Sequence, residues 1–230
     1  LYYDRNINFF AWIDTEGLYF NYWKVQSILK ESRILLLGAG GTGGSCAISL
    51  ARLGFGDITI VDYDTVELSN LNRQVFTYDQ LGKSKAKSLK EILTKINPFI
   101  AINTEDKIIK NVGDLLKLGT DFDLVICCID KPDHINDILE EYTQITGIPR
   151  ILGGYARTIL TNSIFTKDSG SYVELFKQDI EKNYDSKNVN QNMNNWQWNN
   201  AVISPVSFIS GNFSSLYALY FVTKLKILAT

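Results

Sequence analysis

The sequence predicts an α/β domain: a Rossmann-like, mostly parallel sheet with crossover helices, continued by an antiparallel hairpin. Three observations carry that expectation. Short apolar runs alternate with stretches of helical periodicity between Arg33 and Leu152, the pattern of parallel strands joined by helices. The first apolar run ends directly in Gly38-Ala39-Gly40-Gly41-Thr42-Gly43-Gly44, which opens the first helical stretch. After Gly154 the residues alternate with period two, as in a strand exposed on one face.

Taken in order, residues 33–37 form the first strand and 42–53 a helix whose apolar positions are Ala47, Ile48, Ala51 and Leu53. Residues 57–61 are the second strand, 79–96 a helix, 100–104 a strand and 112–118 a short helix. Residues 123–128 read as a fully apolar strand, 134–146 as the helix of the fourth crossover, and 150–152 as the start of the next strand. The alternating stretch 157–165 is followed by a turn at 167–170, where the expected antiparallel hairpin continues the sheet. Residues 178–200 shift to Asn, Lys, Asp and Gln with few aliphatic side chains, the composition of a polar loop. A long helix over 206–227 closes the chain. There is no internal repeat, so the expectation is a single domain over 1–230: an N-terminal arm (1–32), a nucleotide-binding core (33–154), and a sheet extension, polar crossover loop and closing helix (155–230).

Composition narrows the function classes. With 23 Lys+Arg against 25 Asp+Glu the formal net charge is -2, which argues against a polybasic nucleic-acid-binding arm. Hydrophobic residues make up 45 % and charged residues 21 %, enough apolar material for a substantial core. The longest apolar run near the C-terminus, 216–223, falls well short of the ~20 residues a bilayer span needs. The only cysteines are Cys46, Cys127 and Cys128, too few for a disulfide framework and in keeping with a reducing cytoplasm. No signal peptide precedes the first motif, and a start at Leu1 rather than Met suggests a processed, trimmed or partial product.

The chemistry begins at the glycine stretch. Its glycines permit a tight turn, and backbone N–H groups at a helix N-terminus can approach a phosphate. Close packing of helix on sheet is the competing explanation for Gly43 and Gly44. Asp62 ends the second strand, where an acidic side chain can bind ribose hydroxyls. Asp62-Tyr63-Asp64-Thr65-Val66-Glu67-Leu68-Ser69-Asn70-Leu71-Asn72-Arg73-Gln74 follows, then Gly82-Lys83-Ser84-Lys85-Ala86. Two cationic groups, an amide pair and an acidic ribose binder suit a triphosphate. Taken alone, Lys85 reads as a solvated helix residue among Lys83, Lys87 and Lys90.

These residues together resemble the ThiF/MoeB superfamily of ATP-dependent adenylating enzymes, which includes the activating enzymes of ubiquitin-like proteins. The likeness runs from about Tyr3 to the end, and its most specific piece is Ser69-Asn70-Leu71-Asn72-Arg73-Gln74 after the D-x-D strand end. The resemblance implies that Gly38, Gly40, Gly41 and Gly43 surround ATP and that Asp62, with Asp64 beside it, holds the ribose. It also implies that Arg73 and Lys85 hold the phosphates, with Asn70 and Gln74 in support. Cys127-Cys128-Ile129-Asp130 matches the segment whose Asp places Mg2+. Tyr3-Asp4-Arg5-Asn6 resembles the segment whose Arg reaches the γ-phosphate region from a neighbouring subunit, which implies a homodimer.

Departures sharpen the expectation. Where zinc-binding members carry C-x-x-C, this chain has Ser171-Tyr172-Val173-Glu174, so no four-cysteine zinc site is expected. No cysteine lies in 178–200, which removes support for a covalent thioester step. His134 is read either as a polar residue at a helix start or as a group near the nucleotide, and Trp196 and Trp198 as aromatics of the polar loop. The Tyr3 to Phe10 opening, the Gly153-Gly154-Tyr155 turn and the missing cysteines resemble microcin C-type peptide-modifying members. That likeness implies adenylation of the C-terminal carboxylate of a ribosomal peptide. A small carrier-protein substrate and a non-catalytic leader-peptide docking module are the alternatives. Neither a membrane nor nucleic acid is an expected partner.

Overall fold

A computed structural model describes residues 2–156, 159–174 and 202–226. Its centre is a six-stranded sheet in the order β3-β2-β1-β4-β5-β6. The strands are β1 (Arg33–Leu37), β2 (Asp57–Val61), β3 (Ala101–Glu105), β4 (Leu124–Cys127), β5 (Arg150–Ala156) and β6 (Ile159–Phe165). The first five run parallel, and β6 returns antiparallel to β5 from Ala156↔Ile159 to Arg150↔Phe165. The helices are α1 (Asp4–Ile13), α2 (Trp23–Glu31), α3 (Gly41–Leu53), α4 (Lys85–Ile96), α5 (Val112–Leu116), α6 (Ile135–Thr146) and α7 (Ser204–Thr223).

Period-two alternation along the buried strands builds a core on each face of the sheet. Ile34, Leu36, Ile58, Ile60 and Ile126 point to the face covered by α3, α4 and α7. Leu35, Leu37, Val61, Val125 and Cys127 point to the other face, covered by α5 and α6 through Leu115, Leu139 and Tyr142. α7 lies directly on α3, backbone against backbone. A Cβ on Gly211 would stand 2.1 Å from Ser45 Oγ and 2.2 Å from the Thr42 carbonyl oxygen.

Several boundaries differ from the sequence reading, each for a local reason. The helix expected at 79–96 begins only at Lys85. Gly82 sits at φ +77°, a left-handed conformation that breaks the spiral, and Ser84 caps the new start by accepting the Lys87 N–H at 3.2 Å. The preceding 3-10 turn, Tyr78–Gln80, has its own capping box with Thr77. The chain does turn at 167–169, after β6, with the Ser169 N–H donating to the Thr166 carbonyl at 3.2 Å, but the antiparallel hairpin that continues the sheet is formed earlier, by β5 running on to Ala156 and pairing with β6. The closing helix starts at Ser204, with proline in its first turn, and ends at Thr223. Residues 1–32, left without elements by the sequence reading, contain α1 and α2. The polar loop at 178–200, with Trp196 and Trp198, lies outside the described residues. Among the described residues no helix is long and apolar enough to cross a membrane.

Candidate functional site

The order β3-β2-β1-β4 puts the topological switch between β1 and β4, and ligands of open α/β sheets bind at the carboxyl ends of strands beside such a point. β1 ends there at Gly38, whose φ of +98° aims the chain into α3. At Gly43 the packing explanation holds, because a Cβ would stand 1.9 Å from the Gly38 carbonyl oxygen. Gly41 is less tight but still closed to a side chain, since its Cβ would stand 2.9 Å from both the Arg73 carbonyl oxygen and Ser207 Oγ. Gly40, half-buried, is the least crowded of the four, since a Cβ there would meet only Gln74 Nε2, at 3.9 Å.

Asp62, at the end of β2, is 92 % buried, being 8 % exposed. The Ala39 N–H donates to its Oδ2 at 2.7 Å and the Asp64 N–H to its Oδ1 at 2.8 Å, so the carboxylate is tied to the glycine loop. Burial holds Asp62 above the usual carboxylate range, against the pull of those two N–H groups and of Lys85. A desolvated carboxylate with fixed orientation is a strong acceptor for hydroxyl donors.

The segment after Asp62 divides into scaffold and reach. Asn70 is buried, and its Oδ1 accepts the Glu67 N–H at 3.1 Å, capping the 3-10 turn Leu68–Asn70. Its carbonyl accepts the N–H groups of Arg73 and Gln74. Arg73 Nη1 donates to the Ser69 carbonyl at 2.7 Å and to Asn72 Oδ1 at 3.1 Å, while the Arg73 carbonyl accepts Ser207 Oγ at 3.1 Å from the first turn of α7. Among the described residues Gln74 Oε1 is buried without a hydrogen-bond partner, the kind of orphan a bound ligand satisfies. Lys85 is 7 % exposed, not a solvated helix residue, and its Nζ pairs with Asp64 Oδ2 at 2.7 Å.

Asp130 follows β4, exposed at the mouth of a cleft of about 80 Å³ that it lines with Asp62, Asp64, Lys107 and Lys131. Among the described residues no three His, Cys, Asp or Glu side chains gather as a metal cage. One exposed carboxylate facing a phosphate-sized space fits Mg2+, which takes one or two carboxylates plus phosphate oxygens, and does not fit a structural zinc. An uncrowded Gly40, a buried acceptor at Asp62 and an orphan amide oxygen at Gln74 fit a nucleotide. A roomier groove of about 340 Å³, between Glu31, Asp123 and Phe221, lies at the opposite end of the sheet, away from these groups.

The structure brings Gly40, Asp62, Asp64, Gln74, Lys85 and Asp130 to one end of the sheet, and Arg73 beside the glycine loop. It does not bring Arg5 there. Arg5 is exposed on α1, which docks at the far end of α3, where Asn6 Nδ2 donates to the Arg52 and Leu53 carbonyls at 3.1 and 3.4 Å. His134 is exposed at the start of α6 and makes no capping bond. Tyr155, given no chemical role from the sequence, is a site neighbour. Burial raises its phenol, with Arg73 lowering it and Asp130 raising it further, so both charges act on one hydroxyl. Its advance signal was its place in the Gly153-Gly154-Tyr155 turn.

A profile described as the ThiF family matches residues 3–229. The molybdopterin-synthase adenylyltransferase of Escherichia coli K12 is 35 % identical over 146 residues, covering 63 % of this chain and 58 % of that protein. The adenylyltransferase and sulfurtransferase UBA4 of Scheffersomyces stipitis is 40 % identical over 119 residues, 50 % of this chain and 27 % of that one. Among solved structures, E. coli MccB with AMPCPP and selenomethionine MccA superimposes with a TM-score of 0.81 at 26 % identity, over 98 % of this chain and 64 % of that one. E. coli MccB with ATP gives a TM-score of 0.81 at 25 % identity, over 98 % and 65 %. The chain thus spans less than two thirds of each of these proteins.

Proposed function

The chain belongs to the ThiF family, and from that premise we propose that it is an ATP-dependent adenylyltransferase that activates the C-terminal carboxylate of a ribosomal peptide as acyl-AMP, releasing pyrophosphate. The observation that carries this reading is the convergence of Asp62, Asp64, Lys85 and Asp130 beside the glycine loop. The peptide as substrate draws on the 98 % coverage by MccB solved with MccA. Activation of a carrier protein is the second reading, favoured by the 35 % identity to the molybdopterin-synthase enzyme.

A carboxylate nucleophile is already ionised at neutral pH, so the chain needs no general base. Its work is positioning and charge neutralisation. Gly40 and the first N–H groups of α3 face the phosphates, Asp62 accepts from the ribose, and Arg73 and Lys85 supply positive charge. Mg2+ held by Asp130 would neutralise further phosphate charge.

Arg5 belongs to this reading only across a two-fold axis. α3 has 13 residues and α1 sits at its far end, about 20 Å from Gly41 at 1.5 Å per residue, beyond the reach of an arginine. We take the active unit as a homodimer in which Arg5 serves the partner's ATP, in a reducing cytoplasm that suits the free cysteines. ATP–pyrophosphate exchange tests the activity. Exchange that requires a peptide with a free C-terminal carboxylate, and that Asp130→Asn abolishes, is expected. Exchange with carrier proteins alone would favour the second reading, and exchange with neither class would overturn both.

A further inference from the structure

Lys85 occupies a position that physical chemistry disfavours for a cation. It is the first residue of α4, where the partial positive charge of the helix N-terminus repels an ammonium, and it is 7 % exposed, where an unpaired charge is costly. Lys87 and Lys90, on the same helix, reach solvent instead. Among the described residues the one side chain that pairs with Lys85 is Asp64, at 2.7 Å.

The backbone of Asp64 is held on both sides, while its side chain is 44 % exposed. Its N–H is held by Asp62 Oδ1 at 2.8 Å, its carbonyl accepts the Lys85 N–H at 2.9 Å, and the next residue, Thr65, bridges to Ser84. Backbone and side chain thus close one ring from the ribose-binding carboxylate to the lysine ammonium. An ammonium has three donors, and Asp64 occupies one, leaving two for anionic oxygens. Asp64 also offsets part of the cost of holding that charge in a nearly buried place before nucleotide arrives.

We infer that Asp64 is a positioning residue that aims Lys85 Nζ at the phosphates, rather than a ribose or metal ligand in its own right. This rests on the adenylyltransferase reading above, because the phosphates are that reading's ligand.

The test is a double-mutant cycle on MgATP affinity in the whole chain, measured by calorimetry for the parent, Asp64→Ala, Lys85→Met and the double variant. A hydrogen bond to a charged group, once lost, weakens binding by about tenfold or more, so Asp64→Ala and Lys85→Met should each raise Kd about tenfold. The double variant should be no weaker than the worse single, because both remove one oriented ammonium. Asp64→Asn, which keeps an acceptor oxygen in the same place, should recover most of the affinity, and it carries the comparison if Asp64→Ala does not fold. A ribose or metal ligand would instead give losses that multiply in the double variant, which overturns the inference. So would tighter binding by Asp64→Ala, the sign of a carboxylate that merely repels phosphate. If Lys85→Met and Arg73→Met both bind MgATP like the parent, the adenylyltransferase reading itself falls. If they weaken binding and Asp64→Ala does not, only the inference falls.

Discussion

Burial decides the chemistry of single residues here. Cys127 is pushed up to about 11 by desolvation, Cys46 further still, and Cys128 is raised by the same cause, so the thiolate that nucleophilic chemistry needs is scarce at neutral pH. With Ellman's reagent at pH 8, the native protein should show no fast-reacting thiol, and guanidinium should release all three. Rapid native labelling would reopen a covalent role. Asp62 gives a second prediction. Its carboxyl titrates above the ordinary aspartate range, and the protonated form accepts ribose hydroxyls poorly, so MgATP affinity should fall on acidification at a pH where a solvent-exposed aspartate is still charged. Calorimetry across pH 4 to 7 checks this, and the acid dependence should flatten in Asp62→Asn. The glycine loop and Asp62 stood out in the sequence because each directly follows a strand, whereas Arg73 and Asp130 were singled out only through the motifs that resemble the family. The burial of Lys85 was not, since its partner Asp64 lies 21 residues away and only the fold brings them together. Tyr155 was noticed only as part of the Gly153-Gly154-Tyr155 turn, because the charges of Arg73 and Asp130 reach it through the fold.

Among the elements, legibility followed periodicity. The parallel strands and α3 were readable because apolar side chains recur at the period of their geometry. α1 and α2 were not, because their stripes cover a small part of the core: Phe10 alone is buried in α1. The start of α4 was masked because helix-compatible residues, Asp79, Gln80 and Leu81 before Gly82 and the lysines from Lys83 onward after it, stand on both sides of that glycine. α7 shows how packing overrides propensity. Alanine at position 211 would favour the helix by about 0.5–1 kcal/mol, but its Cβ would fall 2.2 Å from a backbone oxygen of α3, and overpacking of that kind costs about 1–3 kcal/mol. Gly211→Ala should therefore lower the thermal midpoint by several degrees in a scanning melt. An unchanged or raised midpoint would mean that α7 sits farther from α3.

At the scale of the whole molecule, the active unit needs a second chain if Arg5 works in trans. Arg5→Ala should leave the melt unchanged, since an exposed arginine contributes little to folding. It should depress exchange by about 10²- to 10³-fold. Equal mixing of Arg5→Ala and Asp130→Asn chains should restore about a quarter of parental activity, because half of the random pairs carry one intact composite site. No recovery, with mixed pairs shown by native mass spectrometry, would remove Arg5 from the reaction.

The far end of α3 carries a consequence for handling the protein. Its last carbonyls are satisfied from outside the helix: Arg52 and Leu53 by Asn6, Leu53 also by Gln26, and Ala51 by Asn97. Asn6 and Gln26 both come from the N-terminal arm, and with them come Phe10, Val25 and Leu29 of the core. A truncated protein starting at Arg33 would fray the helix that follows the glycine loop from its distal end and open a hole beneath it, so the arm is part of the candidate site's foundation.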